Sequence, residues 1–461
     1  MDKKNLIELS MKLPTENNDL SRKLDLFPVT NIIIANMIGA GIFTTSGLLL
    51  KSLDHTLLMI SLWFIGGIIA LCGAFCYGEL GASIPYAGGE YIYLSRIYNP
   101  LIGFLSGWVS FIVGFSAPIA ASSIGFSEYL IRVIPPIQSS PLINQLIIKK
   151  ALSISVILVF TMIHLRRLEF GTGIQNLLTI LKVGLILVLI VLGFFFGQGN
   201  IQHIFYKNHF VYNFEGWKTI GLSLMWIMFA YSGWNAATYI GSEIKNPEKN
   251  LPFSLIIGTG IVIILYICLN ILYIYAIPPE NMKGVISIGG LAVGNLFGKA
   301  MENIFSLLIA FALFSSISAF IILGPRVYYA MAKNGHFFKF AASINRETHI
   351  PSKSIILQCL LSVIMVLSGT FEQILTYMGF ALGIFPIFTV LGIFKLRKKR
   401  QSKYLLPGFP VVPLMYLFSA ISILILAFLE RTVESFIAIL TVIAGIPLYY
   451  IFKRQKEKEV T

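Results

Sequence analysis

The sequence predicts an all-α integral membrane protein of about 12 transmembrane helices, two of them broken near their centres. Three observations carry this reading. The 461 residues are 56% hydrophobic and only 12% charged, with a mean hydropathy of +0.80, which is more apolar matter than a soluble core of this size needs. Twelve apolar runs approach the roughly 20 residues that a helix needs to cross a bilayer. Two of these runs carry glycine-centred interruptions, Gly39-Ala40-Gly41 and Ser232-Gly233.

Taken in order, the stretch Met1 to Lys23 is polar and precedes a long apolar run, so residues 1–24 read as a cytoplasmic tail rather than a cleavable signal. Helices 1 to 6 are expected at about Pro28 to Leu50, Leu57 to Tyr77, Pro100 to Ile134, Ala151 to Leu165, Thr172 to Gly197 and Trp217 to Gly241. Helices 7 to 12 are expected at about Leu251 to Ile277, Met301 to Met331, Ser354 to Ser368, Phe371 to Phe394, Val411 to Leu429 and Thr432 to Phe452. The basic residues test this order independently, because Lys and Arg collect in alternate, cytoplasmic connections. With both termini inside, 25 of the 35 basic residues fall on the cytoplasmic face, nine fall on the other, and one, Lys182, lies within a span.

That distribution accounts for the net charge of +14 without nucleic acid. The basic run from Lys395 to Lys403 lacks interleaved aromatics and follows a span, which suits lipid headgroups or solvent. Cys72, Cys76, Cys268 and Cys359 all lie in apolar segments and read as packing residues. No metal cluster, nucleotide loop or nucleophile with its base is evident, so neither cofactor nor enzymatic activity is expected.

In hydrocarbon an open backbone is tolerated only beside a cavity or inside protein, so the two glycine breaks mark a binding site within the membrane. Helix 6 follows helix 1 by five spans, an odd number, so the two broken helices cross the membrane in opposite directions. Broken helices at corresponding positions of two inverted halves point to a secondary-transporter site at the midplane. The expected organisation is a first inverted repeat over 25–197 (helices 1–5), a second over 217–400 (helices 6–10), helices 11 and 12 over 405–453, and a cytoplasmic tail over 454–461.

Several motifs carry a family resemblance. Asn36-Met-Ile-Gly-Ala-Gly-Ile-Phe43 resembles the helix 1 signature of the amino acid-polyamine-organocation (APC) superfamily. Phe229-Ala-Tyr-Ser-Gly-Trp-Asn235, followed by Glu243 and Asn246-Pro-Glu-Lys-Asn-Leu-Pro252, resembles helix 6 and its exit in the L-type amino acid transporter (LAT) branch. Glu79-Leu-Gly, Pro85 and Gly88-Gly-Glu-Tyr91 after helix 2, and Gln175, Thr179 and Lys182 on helix 5, agree with it. The resemblance covers about residues 25 to 430 and implies a LeuT-type 5+5 inverted repeat that transports amino acids.

The expected substrate site follows from the breaks. Where helix 1 resumes after Gly39, the N–H groups of Ala40, Gly41 and Ile42 lack intrahelical partners and lie at the positive dipole end, which suits a carboxylate. The resemblance implies that carbonyls of Met37 and Ile38, with Phe229, Ala230 and Ser232 opposite, receive the α-ammonium group, beside Gly233. Phe229 resembles the family's aromatic gate. Ser232 narrows the pocket and favours small or medium neutral side chains. No Arg, Asp or Glu lies near either break in the sequence, which argues against charged cargo. The alternative, that the glycines only permit close helix packing, remains open.

Lys182 lies ten residues into helix 5 among Leu178, Ile180, Leu181, Val183 and Leu185. A charge at such depth is costly, so it should face a polar interior with a task. The resemblance implies that this lysine stands where sodium-coupled relatives bind a cation, with Ser315, Ser316 and Ser318 of helix 8 nearby and Ser316 the best match. A structural tether between helices 1, 5 and 8 is the other reading.

The expectation is a stand-alone, multi-pass carrier of prokaryotic type in the plasma (bacterial inner) membrane, moving neutral amino acids by alternating access as exchanger or proton-linked symporter. The alternatives are a sodium-coupled symporter and a polyamine or cationic amino acid carrier. Animal L-type transporters link to a partner through a cysteine between helices 3 and 4. The connection Ile134 to Lys150 contains none, so no disulfide-linked heavy subunit is expected.

Overall fold

The computed structural model describes residues 22–86, 88–134, 141–166, 169–207, 210–333, 335–343 and 351–460. Most of the N-terminal tail, residues 135–140 of the connection after helix 3, Arg167 and Arg346, and the side chains of Arg166, Gln175, Arg326 and Lys333, all used in the sequence reading, lie outside the described part. Ten described helices are long and apolar enough to cross a membrane. The other two expected spans, Phe214–Ala230 of helix 6 and Ser352–Ser368 of helix 9, are shorter helices in the expected places.

Helix 1 is in three pieces, Leu26–Met37, Ala40–Thr44 and Ser46–Leu53. Helix 2 is Thr56–Ser83, helix 3 runs from Pro100 to Val133 with a π-helical turn at Ser110–Gly114, and helices 4 and 5 are Leu142–Arg166 and Glu169–Phe196. Helix 6 ends at Ala230 and resumes as a 3-10 stretch, Ala236–Glu243, before helix 7, Pro247–Ala276. Helices 8, 10, 11 and 12 are Lys299–Lys333, Phe371–Lys398, Val411–Glu430 and Thr432–Val460. Local chemistry sets several starts. Asn99 accepts from the Ile102 N–H ahead of Pro100, Asn213 caps helix 6, and Thr370 with Gln373 forms a capping box on helix 10.

Burial sorts the helices into an inner and an outer set. Half or more of helices 1, 2, 3, 7, 8 and 10 is covered by protein, against 22–28% of helices 4, 5, 11 and 12. The outer set presents side chains such as Phe195, 80% exposed, and Phe418, 76% exposed, which only a lipid environment would favour. Helix 7 packs along helices 2 and 1, helix 8 along helix 3, and helix 11 along helix 6.

Among the described residues, two α-helices of nine and ten residues stand between the expected spans. Gly89–Ile97 lies between helices 2 and 3, and Ile288–Phe297 lies between helices 7 and 8. The second sits over the upper end of helix 1. Tyr129 of helix 3 donates to the Phe43 carbonyl at 2.6 Å and accepts from the Gly289 N–H at 2.9 Å, while Ser46 donates to Asn270 of helix 7 at 2.6 Å. These bonds tie the upper part of helix 1 to helices 3 and 7 and to the short helix Ile288–Phe297.

At the opposite end, Glu79 is fully buried rather than solvated at the interface. Its carboxylate accepts from Arg397 Nε (2.7 Å) and Nη2 (2.6 Å), Ser402 Oγ and the Leu406 N–H. A carboxylate with all these donors is satisfied internally, which explains its burial. Glu128 near the outer end of helix 3 pairs with Lys149 at 2.8 Å, and His164 is buried against Ser318 at 3.0 Å.

Candidate functional site

The first break consists of Ile38 and Gly39. Ile38 donates to Ile34, closing the lower piece of helix 1, and Gly39 takes an extended conformation before the chain resumes at Ala40. The second break spans Tyr231 to Asn235. Gly233 has φ of +96°, a left-handed conformation that favours glycine, and a Cβ there would lie 2.8 Å from the Asn36 carbonyl carbon. Gly41 is just as tightly placed: its Cβ would fall 2.4 Å from Ala230 Cα. The two breaks therefore meet backbone to backbone, and for Gly41 the close-packing reading holds together with any role in binding. Gly39 differs, since an added Cβ would meet nothing nearer than Ser316 Oγ at 3.8 Å.

A residue outside the sequence reading joins the breaks. The Tyr266 hydroxyl on helix 7 lies 2.7 Å from the Met37 carbonyl and 3.1 Å from that of Ala230, the last helical residues before each interruption. Both carbonyls had been expected to face the substrate ammonium. Each keeps a second lone pair, but the first is directed at the tyrosine. Tyr266 and Asn270, one turn apart and both buried, are polar groups on one face of an apolar helix, and that spacing is the signal that could have found them.

A cavity of about 1620 Å³ runs from the second break towards the face that carries the N-terminus. Phe229, Ser232, Gly233, Trp234 and Asn235 line its inner end, Asn31, Ala35 and Asn36 contribute the lower piece of helix 1, and Arg22, Glu243 and Lys403 stand at its lower reach. Of the expected site residues, Phe229, Ser232 and Gly233 reach this cavity. Met37, Ile38, Gly39, Ala40, Gly41, Ile42 and Ala230 do not line it; Gly39 is half-buried and the other six are buried. Among the described residues, none of the upper pieces of helix 1, Ala40–Thr44 and Ser46–Leu53, lines this cavity.

Tyr231 and Trp234 are packing residues. Tyr231 meets Trp63 edge-on at 5.7 Å and Tyr266 at a tilt at 5.1 Å between ring centroids, and Trp234 meets Tyr77 edge-on at 4.7 Å. Asn235 instead donates to Glu90 Oε1 at 3.1 Å. The expectation that no acidic residue lies near either break thus needs correction: Glu90, distant in sequence, is brought beside the second break by the short helix Gly89–Ile97.

Lys182 is 1% exposed although its neighbours Ile180 and Leu181 are 63% and 58% exposed, so it turns inward on the same side as buried Thr179, Ile186 and Leu189. Its ammonium donates to the Ala35 carbonyl at 3.1 Å, one turn before the first break. Ser316 Oγ is buried without a hydrogen-bond partner and lies close to the Gly39 position, whereas Ser318 bonds His164. Ser315 is likewise buried on helix 8. Among the described residues no group of His, Cys, Asp and Glu is placed to hold a metal ion, and the four cysteines are unpaired.

At the mouth, the chain before helix 1 is stitched to the exit of helix 6. Lys23 and Leu24 N–H groups donate to the Glu243 carbonyl at 2.9 and 3.0 Å, and the Lys245 N–H returns to Leu24. Asp25 pairs with Lys245 at 2.8 Å.

Comparison with known proteins agrees with this architecture. The chain is 27% identical to the Asc-type amino acid transporter 1 of Mus musculus, across 96% of this chain and 84% of that protein. It is 26% identical to the b(0,+)-type amino acid transporter 1 of Mus musculus, across 95% and 89%. It is 28% identical to the cystine/glutamate transporter of Homo sapiens, across 95% and 86%. The family model described as amino acid permease matches residues 24–447, so this chain belongs to the amino acid permease family of the APC superfamily, with relatives of the LAT type.

Proposed function

We propose that the protein moves neutral amino acids of small to medium size across the membrane by alternating access, without enzymatic chemistry. The observation that carries this reading is the meeting of two interrupted helices at the end of a cavity that runs towards the face carrying the N-terminus. Main-chain groups at such breaks recognise the carboxylate and ammonium that every amino acid shares, and leave selection to the side-chain pocket. In this reading, the N–H groups of Ala40, Gly41 and Ile42 take the carboxylate once the upper piece of helix 1 is uncovered. Carbonyls of Ile38, Phe229 and Ser232 serve the ammonium, with Met37 and Ala230 held in place by Tyr266. Phe229 closes over the substrate and Ser232 bounds its side chain.

Lys182 takes the part of a fixed cation behind the first break, its ammonium tied to the Ala35 carbonyl, with Ser316 of helix 8 on the other side of that break beside Gly39. A cation already in place competes with sodium, so exchange, or symport with a proton, is favoured over sodium coupling. The residence we infer is a plasma membrane of bacterial type, with both termini cytoplasmic and the cavity opening to the cytoplasm, and with no disulfide-linked heavy subunit. Glu90 favours a second reading, in which a cationic side chain extends from the breaks to this carboxylate.

Uptake into proteoliposomes tests both readings. Alanine, serine, leucine, phenylalanine, lysine and glutamate are offered in turn, with and without internal substrate, under imposed sodium and proton gradients. Neutral amino acids should be taken up without sodium. Uptake confined to lysine would support the second reading, and no amino acid uptake at all would refute both.

A further inference from the structure

Transport of neutral amino acids gives no task to Glu90, an ionisable side chain at the cavity wall. Glu90 is 9% exposed, lines the cavity, and forms no ion pair among the described residues. Its Oε1 accepts from the Tyr77 hydroxyl of helix 2 at 2.7 Å and from Asn235 Nδ2 at 3.1 Å. Asn235 immediately precedes the 3-10 stretch Ala236–Glu243 that leaves the second break. Two backbone contacts join the same segments. The Gly88 N–H donates to the Tyr239 carbonyl at 3.2 Å, and a Cβ on Gly89 would fall 2.8 Å from the Tyr239 ring. The connection between helices 2 and 3 thus clasps the unwound part of helix 6, and Glu90 is the side chain at the centre of the clasp.

Among the described residues, none is paired with Glu90 as a countercharge. Tyr77 of helix 2, Tyr93 of its own helix, Tyr239 of the 3-10 stretch and Tyr416 of helix 11 face the carboxyl. Nearby cations are engaged elsewhere: Arg397 with Glu79, Lys403 with Glu248, Arg96 over the Tyr86 ring and Lys395 over the Tyr98 ring. His336 bonds Tyr91. Glu243 and Arg22 share the cavity wall, and the start of helix 3, Pro100–Val109, which packs on the clasp, has no titratable side chain.

We propose that Glu90 is a proton-binding positioning residue: with its proton it holds the clasp against the unwound segment of helix 6, and on losing that proton it releases the segment towards water. Burial pushes its carboxyl from an ordinary 4.5 up to about 7, with the bonds from Tyr77 and Asn235 opposing the rise. The clasped state therefore binds a proton at pH values where a hydrated Glu90 does not. Clasp stability is full below the ordinary carboxylate value and is lost as pH rises through about 7. The effect on transport rests on the proposed function, but the clasp itself does not.

The test is hydrogen exchange of peptides covering 232–244 in the purified full chain between pH 5.5 and 7.5, corrected for the intrinsic pH dependence of exchange. Protection in the wild type should fall by at least about tenfold over that range, while Glu90→Gln stays protected throughout. A wild type with no such step, or the same step in Glu90→Gln, overturns the proposal. If Glu90→Gln does not fold, Tyr77→Phe decides, because removing a donor that favours the carboxylate should move the step upward by roughly one pH unit, and an unmoved step overturns the proposal. Amino acid flux into proteoliposomes, with pH varied on the cavity side, is the separate arm. A hydrogen-exchange step in a protein that carries no amino acid would sink the transport reading and leave the clasp standing.

Discussion

The hydroxyl of Tyr266 donates to the carbonyl of Met37 at 2.7 Å, and that carbonyl belongs to the last helical residue before the first break. The same hydroxyl lies 3.1 Å from the Ala230 carbonyl at the second break, so helix 7 holds both interruptions at one point. Tyr266→Phe keeps the ring and removes this bond alone. It should cost about 1 kcal/mol of stability while lowering the rate of amino acid exchange by about tenfold, with the order of preferred substrates unchanged. Transport kinetics and thermal unfolding measured on the same preparation check this. A rate equal to wild type would show that the bond does not position the breaks.

Gly39 and Gly41 should respond differently to the same methyl group. Gly41→Ala drives a Cβ within 2.4 Å of Ala230 Cα, so it should separate helices 1 and 6 and destabilise the fold by about 1–3 kcal/mol. Gly39→Ala makes only ordinary van der Waals contact, with Ser316 Oγ at 3.8 Å, and should leave the unfolding temperature near wild type, while weakening amino acid binding by intruding on the carboxylate cradle. Thermal unfolding and equilibrium binding separate the two. Equal loss of stability in both variants would contradict the geometry.

Lys182→Ala should reduce turnover strongly without changing which amino acids bind, because the ammonium supports helix 1 from behind at Ala35. Wild-type transport should be independent of sodium. Full activity in Lys182→Ala, or a sodium requirement in the wild type, would show that this residue does not substitute for a bound cation.

The buried pair Glu79–Arg397 joins helix 2 to the end of helix 10. Removing one partner leaves the other uncompensated, so Arg397→Ala should destabilise by about 3 kcal/mol. Exchanging both for apolar residues should recover part of that loss. Thermal unfolding of the single and double variants measures the difference, and additive losses would mean that the two residues do not act as a pair.

Selectivity should follow the side chains at the inner end of the cavity. Ser232→Gly enlarges the pocket and should admit larger side chains, while Phe229→Ala should slow exchange by weakening occlusion. Unchanged substrate preference in both would place the side-chain pocket elsewhere.

The spans and both breaks were legible because each is a local property: a hydropathy run of sufficient length, and glycines where a helix would otherwise avoid them. What escaped depends on chain segments far apart. Tyr266 looks like one more aromatic in the apolar run of helix 7 until the fold sets it beside Met37 and Ala230. Glu90 belongs to a nine-residue helix of mixed polarity, too short to register as an element, and only the return of helix 6 makes it a neighbour of Asn235. Glu79 ends an apolar run, a place that suits an ion pair and interfacial solvation alike, and Arg397, its partner, arrives 318 residues later.

Recognition of an amino acid by the main chain at both breaks is the central claim, and competition for binding tests it most directly. The purified protein is incubated with a labelled neutral amino acid that it transports, then challenged with the unlabelled amino acid, its carboxamide and its decarboxylated amine. The account predicts displacement by the amino acid alone, because the amide lacks the charge that the N–H groups of Ala40, Gly41 and Ile42 accept and the amine lacks the group altogether. Displacement by the simple amine at concentrations comparable with the amino acid would contradict it.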